Sequence, residues 1–185
     1  MIKSKKDLNF YIQEDKKRYS LPCHWYVGML LGIERCHSFR LVRYLRKYEY
    51  TLNTAKSPFG KMLLLWRKFR FKRMCYKYKI FLNPNTIGYG FRIIHFGAGV
   101  IVNCKKMGNY CSVTTGVVIG NKDSQDARPT IGDNCSFTLG SKIIGNIIIG
   151  NNVTVAPNSV VVKDVPDNAI VTGIPAYVLK YKSDI

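Results

Sequence analysis

The chain has 185 residues and a formal net charge of +18, with 29 Lys and Arg against 11 Asp and Glu. That length suits one or two domains with a real core. Its longest apolar run, Trp25 to Ile33, falls far short of the roughly 20 residues that span a bilayer, and the polar first 20 residues lack the apolar stretch of a secretory signal. The charge is uneven: residues 1–80 carry 20 basic against 5 acidic side chains, residues 81–185 only 9 against 6.

Residues 3–20 read as a polar helix, broken at Leu21-Pro22. His24 to Glu49 reads as one longer helix, with Leu30, Ile33, His37, Leu41, Tyr44 and Leu45 near one stripe. Ser57-Pro58-Phe59-Gly60 marks a turn or a helix start. Lys61 to Lys79 then carries eight basic residues and no acidic one, interleaved with Trp66, Phe69, Phe71, Tyr76 and Tyr78. A basic, aromatic-rich helix of this kind suits an anionic membrane surface or a lipid-linked substrate. The same mix suits single-stranded nucleic acid, but no nucleic-acid module accompanies it. The plain reading is a helix packed on its neighbours with solvated lysines.

From residue 81 the pattern changes. Met107, Val113, Ile119, Ile131, Phe137, Ile143, Ile149, Val155 and Val161 stand on one six-residue grid, with Gly108, Gly120, Gly132, Gly150 and Ala156 just behind several of them. Six matches neither 3.6 nor 2.0 residues per repeat. It matches a short strand and a corner, three times per coil of about eighteen residues, which is the hexapeptide parallel β-helix. The fold expected is therefore mainly β: a β-helix over residues 81–175, preceded by a basic α-helical region, 1–80, and followed by a tail, 176–185. One coil cannot bury its own face, so several must stack. Gly and Asn suit the corners by tolerating positive φ.

Two features interrupt the repeat. The polar stretch from Asn121 to Pro129, with Gln125 where the grid calls for an aliphatic, must leave the coil as a loop, and it carries Arg128. His95 sits in IGYGFRIIHFGAGVIV among Gly88, Gly90, Gly97 and Gly99. Its imidazole titrates near neutrality and can take and return a proton; a structural histidine is the competing reading. His24 and His37 read as core or surface residues of the helical part. The six cysteines, Cys23, Cys36, Cys75, Cys104, Cys111 and Cys135, form no CxxC pair and no metal-ligand spacing, so they read as reduced thiols of a cytoplasmic protein without a metal.

The segments IGYGFRIIHFGAGVIVN, MGNYCSVTTGVVIGN, RPTIGDNC and GSKIIGNIIIGNNVTVAPNSVVVKDVPDNAIVTGIPA resemble the hexapeptide-repeat acyltransferases over about residues 80–180, most of all the serine O-acetyltransferase branch. The front half is similar, more loosely, to small bacterial capsule and exopolysaccharide acetyltransferases. The resemblance implies a homotrimer of left-handed β-helices that use acetyl-CoA in the groove between subunits. It implies His95 as general base, with Thr138, Leu139, Gly140, Ser141, Lys142, Ala156 and Pro157 along the pantetheine arm, and Gly173 near the adenine. Lys163, Lys180 and Lys182 are the phosphate partners it suggests.

The departures matter as much. The aspartate that precedes the catalytic histidine in serine acetyltransferases and helps bind the substrate amine is here Ile94. The aspartate that orients the histidine has no counterpart in Phe81-Leu-Asn-Pro84, which leaves Asn83 as the expected orienting group. Arg128 aligns with a histidine that helps hold the serine carboxylate. Loss of both acids disfavours a charged amino acid, so a saccharide hydroxyl, on a lipid carrier at the inner membrane face or free, is the acceptor expected. Serine is the alternative, with Ile185 as the kind of terminal residue that inserts into a partner enzyme. A non-catalytic trimeric scaffold is a third reading, opposed by the intact His95 segment.

Overall fold

The computed structural model describes residues 1–185 except Cys23, Phe96, Gln125 and residues 183–185, so the expectations attached to Cys23, Gln125 and Ile185 lie outside the described residues. Four helices come first: α1 (Lys5–Lys17), α2 (Trp25–Leu30), α3 (Glu34–Thr54) and α4 (Pro58–Tyr78). Ser4 and Asp7 close a reciprocal capping box on α1. Ser57 caps α4, its hydroxyl accepting from Gly60 N at 3.1 Å, with Pro58 in the first turn where a missing N–H costs nothing.

The single helix expected over residues 24–49 is two. Gly32 takes φ +73 between α2 and α3, a conformation no right-handed helix can contain. Leu41 and Leu45 are buried as the stripe requires, whereas Leu30, at the end of α2, is 86% exposed. α3 is the central helix, packed against both α1 and α4.

Fourteen strands follow among the described residues. Side one of a three-sided coil holds β1 (Ile80–Leu82), β3 (Val100–Val102), β6 (Val118–Gly120), β9 (Lys142–Ile144) and β12 (Val160–Val161). Side two holds β4 (Lys106–Met107), β7 (Thr130–Ile131) and β10 (Ile148–Ile149), extended by single bridges at Ile87 and Val165. Side three holds β2 (Arg92–Ile94), β5 (Ser112–Thr114), β8 (Ser136–Phe137), β11 (Thr154–Val155) and β13 (Ala169–Gly173). Within each side the neighbours are parallel. Their register stacks three inward ladders: Leu82, Val102, Ile119, Ile143, Val161; Ile87, Met107, Ile131, Ile149, Val165; and Ile93, Val113, Phe137, Val155, Val171. All nine grid positions read from the sequence are in these ladders, and all are buried. The segment expected as a tail instead adds β14 (Ala176–Tyr181), antiparallel to β13, over the last coil.

The helices close the other open end. A solenoid's first coil presents unpaired backbone groups at its rim. Arg46, wholly buried, donates Nη1 to Ile87 O at 2.9 Å, Asp15 accepts from Phe91 N at 2.9 Å, Glu49 accepts from Asn85 N at 2.8 Å, and the Tyr19 hydroxyl accepts from Ile93 N at 2.9 Å. Arg46 is paired with both acids, Nε to Asp15 at 2.8 Å and Nη1 to Glu49 at 3.1 Å. Burial works against its charge, yet the two carboxylates raise its pKa; burial pushes the Glu49 carboxyl up. Five cysteines are free and buried, and burial lifts the Cys75 and Cys104 thiols to about 11.

Candidate active site

His95 follows β2 at the edge where side three turns into side one. Its backbone is left-handed, φ +58, as at other coil corners such as Tyr110, Asn134 and Asn152, a state uncommon for a residue with a side chain. The turn is pinned to the next coil: Thr115 N donates to Ile94 O at 3.2 Å, and Ala98 N donates to Thr115 Oγ1 at 2.8 Å. The imidazole is thrown outward, 67% exposed, and its Nδ1 lies 2.9 Å from Glu34 Oε2. Glu34 opens α3, where no side chain caps the helix and the N-terminal end of the dipole favours a carboxylate. With Nδ1–H donating to Glu34, Nε2 carries the lone pair that can accept a proton.

A cleft of about 330 Å³ adjoins this pair, lined among others by Arg35, Ser38, Arg92 and Ile94. Ser38 is buried and its Oγ has no partner among the described residues. A second cleft, about 380 Å³, continues from Glu34 and Gly97 to His37, Lys77 and Tyr78. His95 is thus bordered by one carboxylate and two guanidinium-bearing side chains, a charge set that matches a zwitterion.

The other candidates divide by edge. Thr138 to Lys142, Ala156-Pro157 and Gly173 all fall on the same edge as His95, one coil after another. Backbone bonds join them through Gly116: Gly116 N to Gly99 O, Gly140 N to Thr115 O and Asn158 N to Leu139 O. At about 4.8 Å per coil the edge runs roughly 19 Å from His95 to Gly173. Along it Leu139 and Pro157 are exposed, Gly140 takes φ +69, the buried Ser141 Oγ has no partner, and Lys142 Nζ bridges Gly116 O and Gly140 O at 2.8 and 2.7 Å. The strip thus combines small residues with the exposed Leu139 and Pro157.

Five expected site residues lie away from His95 and its edge within this chain, and one of them, Asn83, needs correction. Asn83 does not hold the imidazole: its amide donates to Asn103 at 2.7 Å, and Asn103 to Asn121 at 3.3 Å, a corner ladder that stitches successive coils of side one. Arg128 lies on the edge between sides one and two, near Cys104, and lines neither cleft beside His95. Lys163 sits on that same edge, after β12. Lys180 lies in β14, paired with Ile170, and Lys182 Nζ is taken by Asn152 Oδ1 at 2.9 Å. Glu34, Arg35, Ser38 and Arg92 escaped the sequence reading; the only signal was an acid at the start of a basic, apolar helix.

No family model matches the chain. Over 102 residues it is 38% identical to a serine acetyltransferase of Synechococcus elongatus, covering 54% of this chain and 41% of that one. The repeat half is a left-handed hexapeptide-repeat β-helix homologous to that of the serine acetyltransferases. A solved serine acetyltransferase of Neisseria gonorrhoeae in complex with serine superposes with a TM-score of 0.74 and 26% identity, over 96% of this chain and 71% of that one. A second, a serine acetyltransferase in complex with CoA, gives 0.62 and 25%, over 77% and 57%. The chain spans about two fifths of the length of the curated serine acetyltransferases it matches. The superposition takes in the helices as well as the β-helix.

Proposed function

We propose that this chain is an acetyl-CoA-dependent O-acetyltransferase with serine as acceptor, working in the cytoplasm as a homotrimer. The observation that carries the chemistry is the His95–Glu34 pair, set beside a cleft and at one end of the edge of small residues. His95 Nε2 takes the proton of the acceptor hydroxyl as its oxygen attacks the thioester carbonyl. The tetrahedral intermediate collapses by breaking the C–S bond, and the imidazolium returns its proton to the departing thiolate. Glu34 fixes the ring and offsets the charge the ring gains.

Absence of the two family acids, one at Ile94 and one in the segment Phe81-Leu-Asn-Pro84, favours a saccharide acceptor. The relatives favour serine instead, and Glu34 supplies a carboxylate that the local sequence lacks. Arg35 and Arg92 are suited to the acceptor's carboxylate. A second reading keeps a saccharide hydroxyl as acceptor. Its specific support is Ile94, an apolar side chain lining the cleft at the family's amine-binding position.

Thiol release from acetyl-CoA, followed with L-serine and with free hexoses as acceptors, separates the two. Rapid, saturable release with L-serine alone supports the first reading; release with a hexose alone establishes the second. Release with neither, or full activity in His95→Ala, overturns the proposal.

A further inference from the structure

We propose that α4 and the tip of α2 form a docking surface for an anionic lipid bilayer. α4 is apolar on two opposite sides. Phe71, Met74, Cys75 and Tyr78 are buried against the rest of the molecule. Phe59, Met62, Leu65, Trp66, Phe69 and Tyr76 are between 51% and 72% exposed, and their three- and four-residue intervals place them along one face. Six large apolar side chains on one helix face exceed the scattered exposure usual for a monomer surface. Leu30 and Leu31, 86% and 74% exposed, precede Gly32, which shares a cleft with Lys77 and Tyr78 at the C-terminal end of α4.

Charge selects the occupant. Lys61, Lys68, Lys72, Arg73 and Lys77 are exposed on α4, and among the described residues none forms an ion pair. The five acidic residues of residues 1–80 are all engaged elsewhere: Asp7 in its capping box, Glu14 with Lys17 and Tyr110, Asp15 and Glu49 with Arg46, Glu34 with His95. A second copy laid face to face on this surface would set cations against cations, because the carboxylates of residues 1–80 are already engaged. Single-stranded nucleic acid would use Trp66, Phe69 and Tyr76, but leaves Met62 and Leu65 without a stacking role. A bilayer accepts both parts, apolar side chains below the headgroups and lysines among lipid phosphates. A cleft of about 440 Å³ between Arg40, Trp66, Arg70, Arg73 and Lys77 gives a headgroup phosphate a place to sit. Arg70 is already braced there, donating to the Tyr44 hydroxyl at 2.8 Å with its guanidinium 5.2 Å from the Trp66 ring centroid.

The full chain is sedimented with vesicles of phosphatidylcholine alone and of phosphatidylcholine containing phosphatidylglycerol. Binding to the anionic vesicles only is expected. Removal of two charges in Lys68→Gln/Lys72→Gln weakens it about 25-fold, at about fivefold per charge, and Met62→Glu/Phe69→Glu abolishes it. Thermal melts of the variants that match the parent show that the fold is kept. Absence of vesicle binding, or equal binding to phosphatidylcholine alone, overturns the proposal. So does a fall in native mass in Met62→Glu/Phe69→Glu without vesicle binding by the parent, which assigns the face to a second copy. Tighter binding of a single-stranded oligonucleotide, lost in the same variant, assigns it to nucleic acid.

Discussion

His95 owes its position to two unrelated pieces of the chain. Its left-handed backbone turns the ring out of the coil, and Glu34, sixty-one residues earlier, fixes one face of the imidazole. Replacing His95 by Ala removes the proton acceptor and is expected to lower kcat by about 10²–10⁴. Glu34→Gln keeps the shape and removes the charge. If Glu34 acts through the imidazole, kcat falls about tenfold or more while KM for the acceptor holds, because the ring loses its tautomer and orientation. A raised KM for serine at constant kcat would instead make Glu34 a contact for the acceptor's ammonium. Steady-state kinetics of this one variant, with each substrate varied, distinguishes the two roles.

At the scale of the element, the coil corners separate two demands that look alike in sequence. Gly88, Gly108, Gly132 and Gly150 form a column in which each faces the backbone of the next coil; a Cβ on Gly132 would lie 2.6 Å from Asn151 Oδ1 and 2.8 Å from Gly150 O. None of the four has positive φ. That conformation is carried two residues later by Gly90, Tyr110, Asn134 and Asn152. The glycines are present for close approach and the asparagines for the turn. Gly132→Ala is therefore expected to cost about 1–3 kcal/mol through overpacking, whereas Gly120→Ala, with nothing within 4 Å of its Cβ, should stay within about 0.5 kcal/mol of the parent. Chemical denaturation of the two variants side by side measures the contrast. A period of six is local information, so the ladders from Met107 to Val161 were legible in the sequence. The same period places every third corner on one line and so puts Thr138–Lys142, Ala156-Pro157 and Gly173 on one edge, whereas their role is only what the resemblance implies. The break at Gly32 was not legible, because the stripe through Leu30 and Ile33 continues across it. Nor was the partner of His95, because Glu34 reaches it only through the packing of α3 on the first coil. Asn83 misled for the same reason: its amide had a nearer claimant in Asn103, one coil up.

At the scale of the molecule, the edges set a limit on what one chain can do. His95 and the strip from Thr138 to Gly173 occupy the edge between sides three and one, while Arg128 and its loop leave from the edge between sides one and two. No movement within a rigid β-helix exchanges its edges. In a closed ring of three identical chains, however, unlike surfaces of neighbours meet at every interface, so the loop of one protomer can complete the site of the next. If Arg128 of a neighbour holds the acceptor, His95→Ala and Arg128→Ala are each expected to be inactive alone and should then restore each other when co-expressed. With random assembly, one interface in four joins an intact His95 to an intact Arg128, and about a quarter of the parent kcat returns. If Arg128 serves only its own chain, each site in the His95→Ala subunits is dead and each in the Arg128→Ala subunits stays impaired, so the mixture regains nothing. Purification of the mixed assembly through two different tags, followed by the thiol-release assay, gives the answer directly.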